Sequence, residues 1–270
     1  MTNPDRTNFA AMRIIIVLNA LWLVLSRPDL PRFASLPVVF FKQIPRITTI
    51  RFAAFHFPAA IEWTLYIALI ASLIAVAFDI RTQFTAFAAA LLLYRFAALE
   101  PLIGSISSLW FTCYTHLILG LIFIAIARKD ERWPVTAFRT LFALYYFFCG
   151  WAKLLAAGLH WATAANLRAS ILAQETRYIF HTPWAATVAS SNALCLTLAI
   201  STLLLELLFP IVLISRRARA IIVPATLLGH LGIALTMGLL FLNWPLLFIY
   251  VDWAAVRERI QPGATIPSIA

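Results

Sequence analysis

The sequence predicts an all-α integral membrane protein, a polytopic helical bundle with about seven to eight transmembrane helices. Three observations carry that prediction. Of 270 residues, 63% are hydrophobic and 12% are charged, and the mean hydropathy is +0.89. This leaves too little polar surface to cover a soluble globule of that size. The apolar residues also gather in runs near the roughly 20 residues that a helical span needs, and a helix satisfies every backbone amide within its own segment, so helices are expected rather than a barrel. Finally, the formal charge of +10 comes mostly from arginines in short connections between those runs. Membrane orientation and anionic headgroups account for them, so no nucleic-acid partner is expected.

The spans follow in order. MTNPDRTNFAAMR precedes the first run without a small-residue cleavage pattern, so Ala10–Leu25 reads as a retained span rather than a signal peptide. Further spans are expected at Ala59–Ile80, Gln83–Leu99, Ile106–Ala127, Pro134–Ala157 and Ser191–Ile214. Pro134 suits a first helical turn and Gly158 a helix end. A last run extends from Ala220 to about Val256, too long for one span, with a break expected at Asn243-Trp244-Pro245. That gives seven spans plus an eighth or re-entrant segment. With eight spans, an N-terminus in the cytoplasm would put Arg6, Arg13, Arg81, Arg128, Lys129, Arg132, Arg139, Arg216, Arg217, Arg219, Arg257 and Arg259 inside, against Arg27, Arg32, Lys42, Arg46, Arg51, Arg95, Arg168 and Arg177 outside, a modest positive-inside bias for an inner (plasma) membrane. The connections Arg27–Pro58 and Gly158–Pro183 mix basic and aromatic residues, as chain lying among headgroups does. No internal repeat supports a transporter of inverted halves.

Ionisable groups inside the spans are the candidate functional residues. Lys153 lies in PVTAFRTLFALYYFFCGWAKLLAA, where an ammonium at depth costs at least about 2.5–3.5 kcal/mol. Tyr146, Lys153 and His160 recur every seven residues, with Cys149 and Gly150 one turn before the lysine. Thr112, His116 and Gly120 form a second stripe, Thr202, Glu206 and Pro210 a third, Thr226 and His230 a fourth. Together they suit an internal cavity among four helices. Counting 1.5 Å per residue puts His116 and His230 near mid-depth, Lys153 nearer the outer face and Glu206 from the middle inward, with a direct Lys153–Glu206 bridge left open. Each group also has a plain reading: Lys153 can snorkel, either histidine can be a packing residue, and Glu206 can be neutral and hydrogen-bonded. Arg95 is expected to snorkel outward beside Glu100. Cys113, Cys149 and Cys195 share no metal-ligand spacing, so no metal or disulfide is expected. A lysine kept from water favours the neutral amine and can act as a base toward a lipid-soluble weak acid such as a quinol.

Tyr145–Trp161, reading YYFFCGWAKLLAAGLHW, resembles the Y-F-x-A-G-x-x-K-L…W signature of the vitamin K-dependent γ-glutamyl carboxylase family, also called the horizontally transferred transmembrane (HTTM) family. His116 with Gly120 is similar to that family's membrane histidine and following glycine. Leu203–Pro210 and Gly229–Pro245 resemble its acidic-residue and histidine-bearing helices, and Arg13 in the first span fits too. In that family a lysine deprotonates reduced vitamin K, and oxygenation of the anion drives glutamate carboxylation while the quinone leaves as its epoxide. The resemblance implies a single HTTM-like membrane domain over 1–270, a reduced, vitamin K-like quinone as cofactor, Lys153 as base and His116 as a supporting cavity residue. Tyr146, Gly150, Glu206 and His230 would then line the quinone cavity. The chain has Ala152-Lys153 where the family has paired lysines, and Ala156-Ala157-Gly158-Leu159-His160 where it has an acidic stretch. No soluble C-terminal domain is expected. The two expectations are therefore a quinol-oxidising, oxygenase/epoxidase-like or carboxylase-like enzyme, and a non-catalytic protein for maturation, export or immunity of a small peptide, with that peptide or a separate soluble protein as partner beside the lipid bilayer.

Overall fold

The computed structural model describes residues 4–36, 57–97, 108–128, 132–175, 183–239 and 242–261, and among these there is no strand. The protein is an all-α polytopic membrane protein. Its helices are α1 (Pro4–Leu25), α2 (Leu30–Ala34), α3 (Ala59–Ala77), α4 (Thr82–Ala97), α5 (Ser108–Ile126), α6 (Trp133–Ala157), α7 (Ala164–Glu175), α8 (Pro183–Ser190), α9 (Asn192–Leu208), α10 (Arg216–Met237) and α11 (Trp253–Ile260). Short 3-10 segments follow α6, α9 and α10, at Gly158–Ala162, Phe209–Leu213 and Trp244–Tyr250. Each of the seven expected spans coincides with a helix. Among the described residues five, formed by α1, α3, α6, α9 and α10, are long and apolar enough to cross a membrane.

The helix ends follow from local chemistry. Ser191 and Ser215 cap α9 and α10, their hydroxyls accepting from Leu194 N at 3.3 Å and Ala218 N at 3.1 Å. Gly158 takes φ 57°, a left-handed value at which Cβ is costly, and α6 stops before it. Gly238 does the same for α10 at φ 65°. The expected break at Asn243–Pro245 therefore comes earlier. After Met237 the described chain holds a 3-10 segment and the eight-residue α11, neither long enough to cross as an eighth span.

The chain sorts into two compact units, 1–138 with 251–270, and 139–250. In the first, α3 and α4 form an antiparallel hairpin, α4 runs along α5, and α1 packs on α3, α5 and α11. Met12, Ile16, Leu69, Leu73, Leu93 and Leu117 are fully buried there. Gly120 lets α5 approach α1: a Cβ there would sit 2.6 Å from Ile16 Cδ1. A salt bridge buried within this hairpin corrects the expectation for Arg95. Its guanidinium turns inward to Glu62, whose side chain is 0% exposed, while Glu100 lies outside the described residues. Arg13 likewise pairs with Asp79 at 2.5 Å. In the second unit, α7 packs on α8 and α9, and α10 packs on α8 and the 3-10 segments. Tyr250 and Arg139 close its ends on each other: the Tyr250 hydroxyl donates to Arg139 O at 2.5 Å, and Arg139 Nε donates to Ile249 O at 2.9 Å.

Candidate functional site

Tyr146, Gly150 and Lys153 lie on one stripe of α6, as their spacing of four and three residues requires. Gly150 is small for a specific reason. A Cβ there would sit 3.0 Å from Glu206 Cβ and 3.1 Å from Leu207 Cγ, so the missing side chain is what lets α9 lie against α6 at this height. One turn further along α6, Lys153 Nζ donates to Glu206 Oε1. The two side chains are only 25% and 15% exposed, so the pair is not a solvated surface bridge. Lys153 Nζ also stands 4.8 Å from the centroid of the Trp161 ring, whose π-face favours a cation. The second carboxylate oxygen of Glu206, Oε2, is buried without a hydrogen-bond partner among the described residues.

The expectation that Lys153 and Glu206 sit at different depths is thus corrected: their side chains meet. His160 is corrected too. Gly158 ends α6 first, so His160 lies in the 3-10 segment, exposed and off the stripe. Two turns back along α6, the Tyr146 hydroxyl and His230 Nε2 of α10 share a hydrogen bond of 2.6 Å. Tyr146 is held by Phe209, stacked at 4.4 Å between centroids with 20° between planes. The second unit therefore brings together five of the six predicted site residues, Tyr146, Gly150, Lys153, Glu206 and His230. His116 belongs to the first unit, where it is buried on α5.

Two apolar spaces adjoin these groups. A groove of about 530 Å³ runs between α9 and α10, with Thr202 and Leu205, which flank Glu206 on α9, facing Gly229 and Gly232 on α10. Nothing lies within 4 Å of a Cβ built on either glycine, so their smallness widens the groove. A second space of about 340 Å³ is bounded by His230, Leu231, Ala234, Trp244 and Phe248. His230 is the one ionisable group on its wall.

No family model matches the chain, and neither a curated protein nor a solved structure does so. The arrangement must be read from its own chemistry. It offers a proton donor–acceptor pair within the membrane, a hydrogen-bonded Tyr–His pair, and apolar room beside each. Sequence reasoning missed one comparable feature, the Glu62–Arg95 pair in the first unit. Its signal was present: Glu62 lies 17 residues before Asp79 and Arg95 lies 16 after it, so a helical hairpin turning at Asp79 places both at one level.

Proposed function

We propose that this protein is a bacterial-type, inner-membrane member of the HTTM family that binds a lipid-soluble quinol and accepts a proton from it at the Lys153–Glu206 pair. The N-terminus faces the cytoplasm in this reading. The observation that carries it is the pair itself, a lysine and a carboxylate joined within apolar helices, one partner keeping a buried oxygen unused among the described residues. Intramembrane ionisable groups of this kind mark proton and substrate chemistry more often than packing.

The residues fit a quinol. The groove and the His230 pocket are apolar spaces of the size that takes a small ligand, each bordered by few polar groups. A bound reduced naphthoquinone would supply an ionisable hydroxyl and two electrons for dioxygen. The chain's own part is to hold the ring against apolar walls, to take the hydroxyl proton at the Lys153–Glu206 pair, and to offer a second hydrogen-bonding point at His230, set by Tyr146. Trp161 covers the lysine and keeps water from competing for that proton. Carboxylation of a glutamyl group by the same site belongs to the resemblance, and His116 is carried by the resemblance alone.

The deciding experiment measures oxygen consumption by purified protein in nanodiscs with reduced naphthoquinone. Activity that falls by about 10²–10⁴ in Lys153→Met supports the reading. Equal rates for the variant and wild type, with both correctly inserted, would end it. A second reading, a non-catalytic protein that handles a small hydrophobic peptide, is favoured by the length of the open groove along α10. It predicts no quinol-dependent oxygen uptake, together with cross-linking of an apolar peptide to α10.

A further inference from the structure

The groove between α9 and α10 is apolar apart from its hydroxyls, and two of these are unused. Thr236, on the α10 wall, donates to Gly232 O at 2.8 Å, the carbonyl four residues back that commonly satisfies a threonine inside a helix. Thr226, on the same helix, donates likewise to Ile222 O at 2.8 Å. Ser201 and Thr202 line the facing wall on α9, and neither makes a hydrogen bond among the described residues. A hydroxyl turned to apolar space is costly unless something in that space accepts from it.

Helical geometry singles out Thr202 of the two. It stands about 40° round α9 from Glu206 and about 6 Å along the axis, while Ser201 stands about 140° round. Side chains lean toward the start of their helix, so Glu206 leans toward Thr202. Leu205, between them in sequence, also lines the groove, which therefore passes beside the carboxylate held by Lys153. The opposite wall is cut back at Gly229 and Gly232, where nothing lies within 4 Å of an added Cβ. A flat ring laid along those glycines has its edge toward Thr202 and the turn that carries Glu206.

The proton transfer proposed for this pair makes a negative oxygen that needs such a donor. The quinol O–H bond breaks, its proton joins the Glu206 carboxylate, and the bonding electrons stay on the quinol oxygen, while Lys153 keeps its own proton. The site is neutral overall before and after, because the carboxylate's charge has moved to the quinol. Lys153 balances that charge while it stays bound to Glu206 and against the Trp161 ring. A second donor on the groove side lets the anion form with the hydrogen bonding it would otherwise find in water. We infer that Thr202 is a further catalytic residue, its hydroxyl donating to the quinol oxygen that gives up its proton. That role rests on the quinol reading above and assigns a residue that reading left unused. The bond to a neutral hydroxyl is ordinary and the bond to the anion is stronger, so Thr202 favours the deprotonated ring over the bound quinol.

Oxygen uptake by the full chain in nanodiscs, with a methyl-substituted naphthoquinol as the probe, tests it. Thr202→Val keeps the shape of the side chain and should lower the rate at saturating quinol about tenfold to hundredfold, with KM changed less than about threefold, because a donor to a developing anion acts chiefly in the transition state. Thr202→Ser should keep most of the rate. Thr197→Val, the same change at an exposed position of α9 outside the groove, should leave it unchanged. The loss in Thr202→Val should shrink with a chloro-substituted naphthoquinol, whose more acidic hydroxyl needs less help, whereas a residue that only shapes the helix would cost both quinols alike. Should Thr202→Val fail to insert, Thr202→Ala against Thr202→Ser makes the same comparison without added bulk. Equal rates for wild type and Thr202→Val, a loss carried by KM alone, or an equal loss for both quinols would overturn the role of Thr202 while leaving the Lys153–Glu206 reading in place. Absence of uptake in wild type would instead remove that reading, and the role of Thr202 with it.

Discussion

Glu62–Arg95 in the first unit and Lys153–Glu206 in the second are both acid–base pairs between helices, and they differ in ways that bear on whether a proton can move. Glu62–Arg95 is closed: the carboxylate side chain is 0% exposed and the arginine 11%. An arginine keeps its proton under any condition a protein meets, so this pair can bind helices but cannot pass a proton on. Lys153–Glu206 is more open, at 25% and 15%, has Gly150 one turn before the lysine, and uses the one basic side chain of the two that can give up its proton. Both leave the second carboxylate oxygen without a partner among the described residues, but only Glu206 sits on a helix that also walls an open groove. A charge pair inside a membrane is thus not by itself a functional mark. Its proton, and the space beside it, make the difference.

The sharpest way to break this comparison is to strand one member of each pair. Glu62→Gln leaves a buried guanidinium uncompensated and should cost about 3–5 kcal/mol, read by denaturant unfolding in mixed micelles. Glu62→Leu with Arg95→Met should restore most of that loss. Glu206→Gln should cost less, about 1.5–3 kcal/mol, because the lysine it frees can reach solvent or headgroups. If Glu206→Gln proves the more damaging to stability, the assignment of the first pair to holding and the second to chemistry is reversed. Leu and Met at positions 206 and 153 should recover stability yet leave no quinol-dependent oxygen uptake.

The glycines refine the contrast. Gly150→Ala presses on Glu206 Cβ, which is anchored to the α9 backbone, and should cost about 1–3 kcal/mol while separating Lys153 from its partner. Gly120→Ala meets Ile16 Cδ1, the free end of a side chain that can change rotamer, and should cost under about 1 kcal/mol in the same unfolding assay. Tyr146→Phe is a comparably mild change. It removes the hydrogen bond to His230 and should lower stability by about 0.5–1.5 kcal/mol, with the ring still stacked on Phe209.

The helices were legible because apolar length and backbone satisfaction leave a membrane chain little choice, and Gly158 announced its helix end at φ 57°. Gly238 was equally informative but sits inside a continuous apolar run, where hydropathy says continue and a left-handed glycine says stop. The Lys153–Glu206 pair was visible as two ionisable groups whose direct bridge the sequence left open. Depth counted along a sequence assumes upright helices, whereas tilt is set by packing that no single run reveals. Arg95 was misread because its neighbours in sequence, Glu100 among them, drew attention from Glu62 across the hairpin. His160 kept the heptad rhythm past the residue that ended the helix.

The clasp at Asn8 bears on how the protein is made. Its side chain accepts from Trp253 N at 2.8 Å and donates to Asp252, 244 positions later in the chain. At about 5–20 residues per second, a ribosome needs roughly 10–50 s to deliver that partner, by which time the whole inner stretch 139–250 has left the tunnel. The start of α1 therefore waits for this clasp until Trp253 has emerged, open meanwhile to whatever insertion factor or protease meets it.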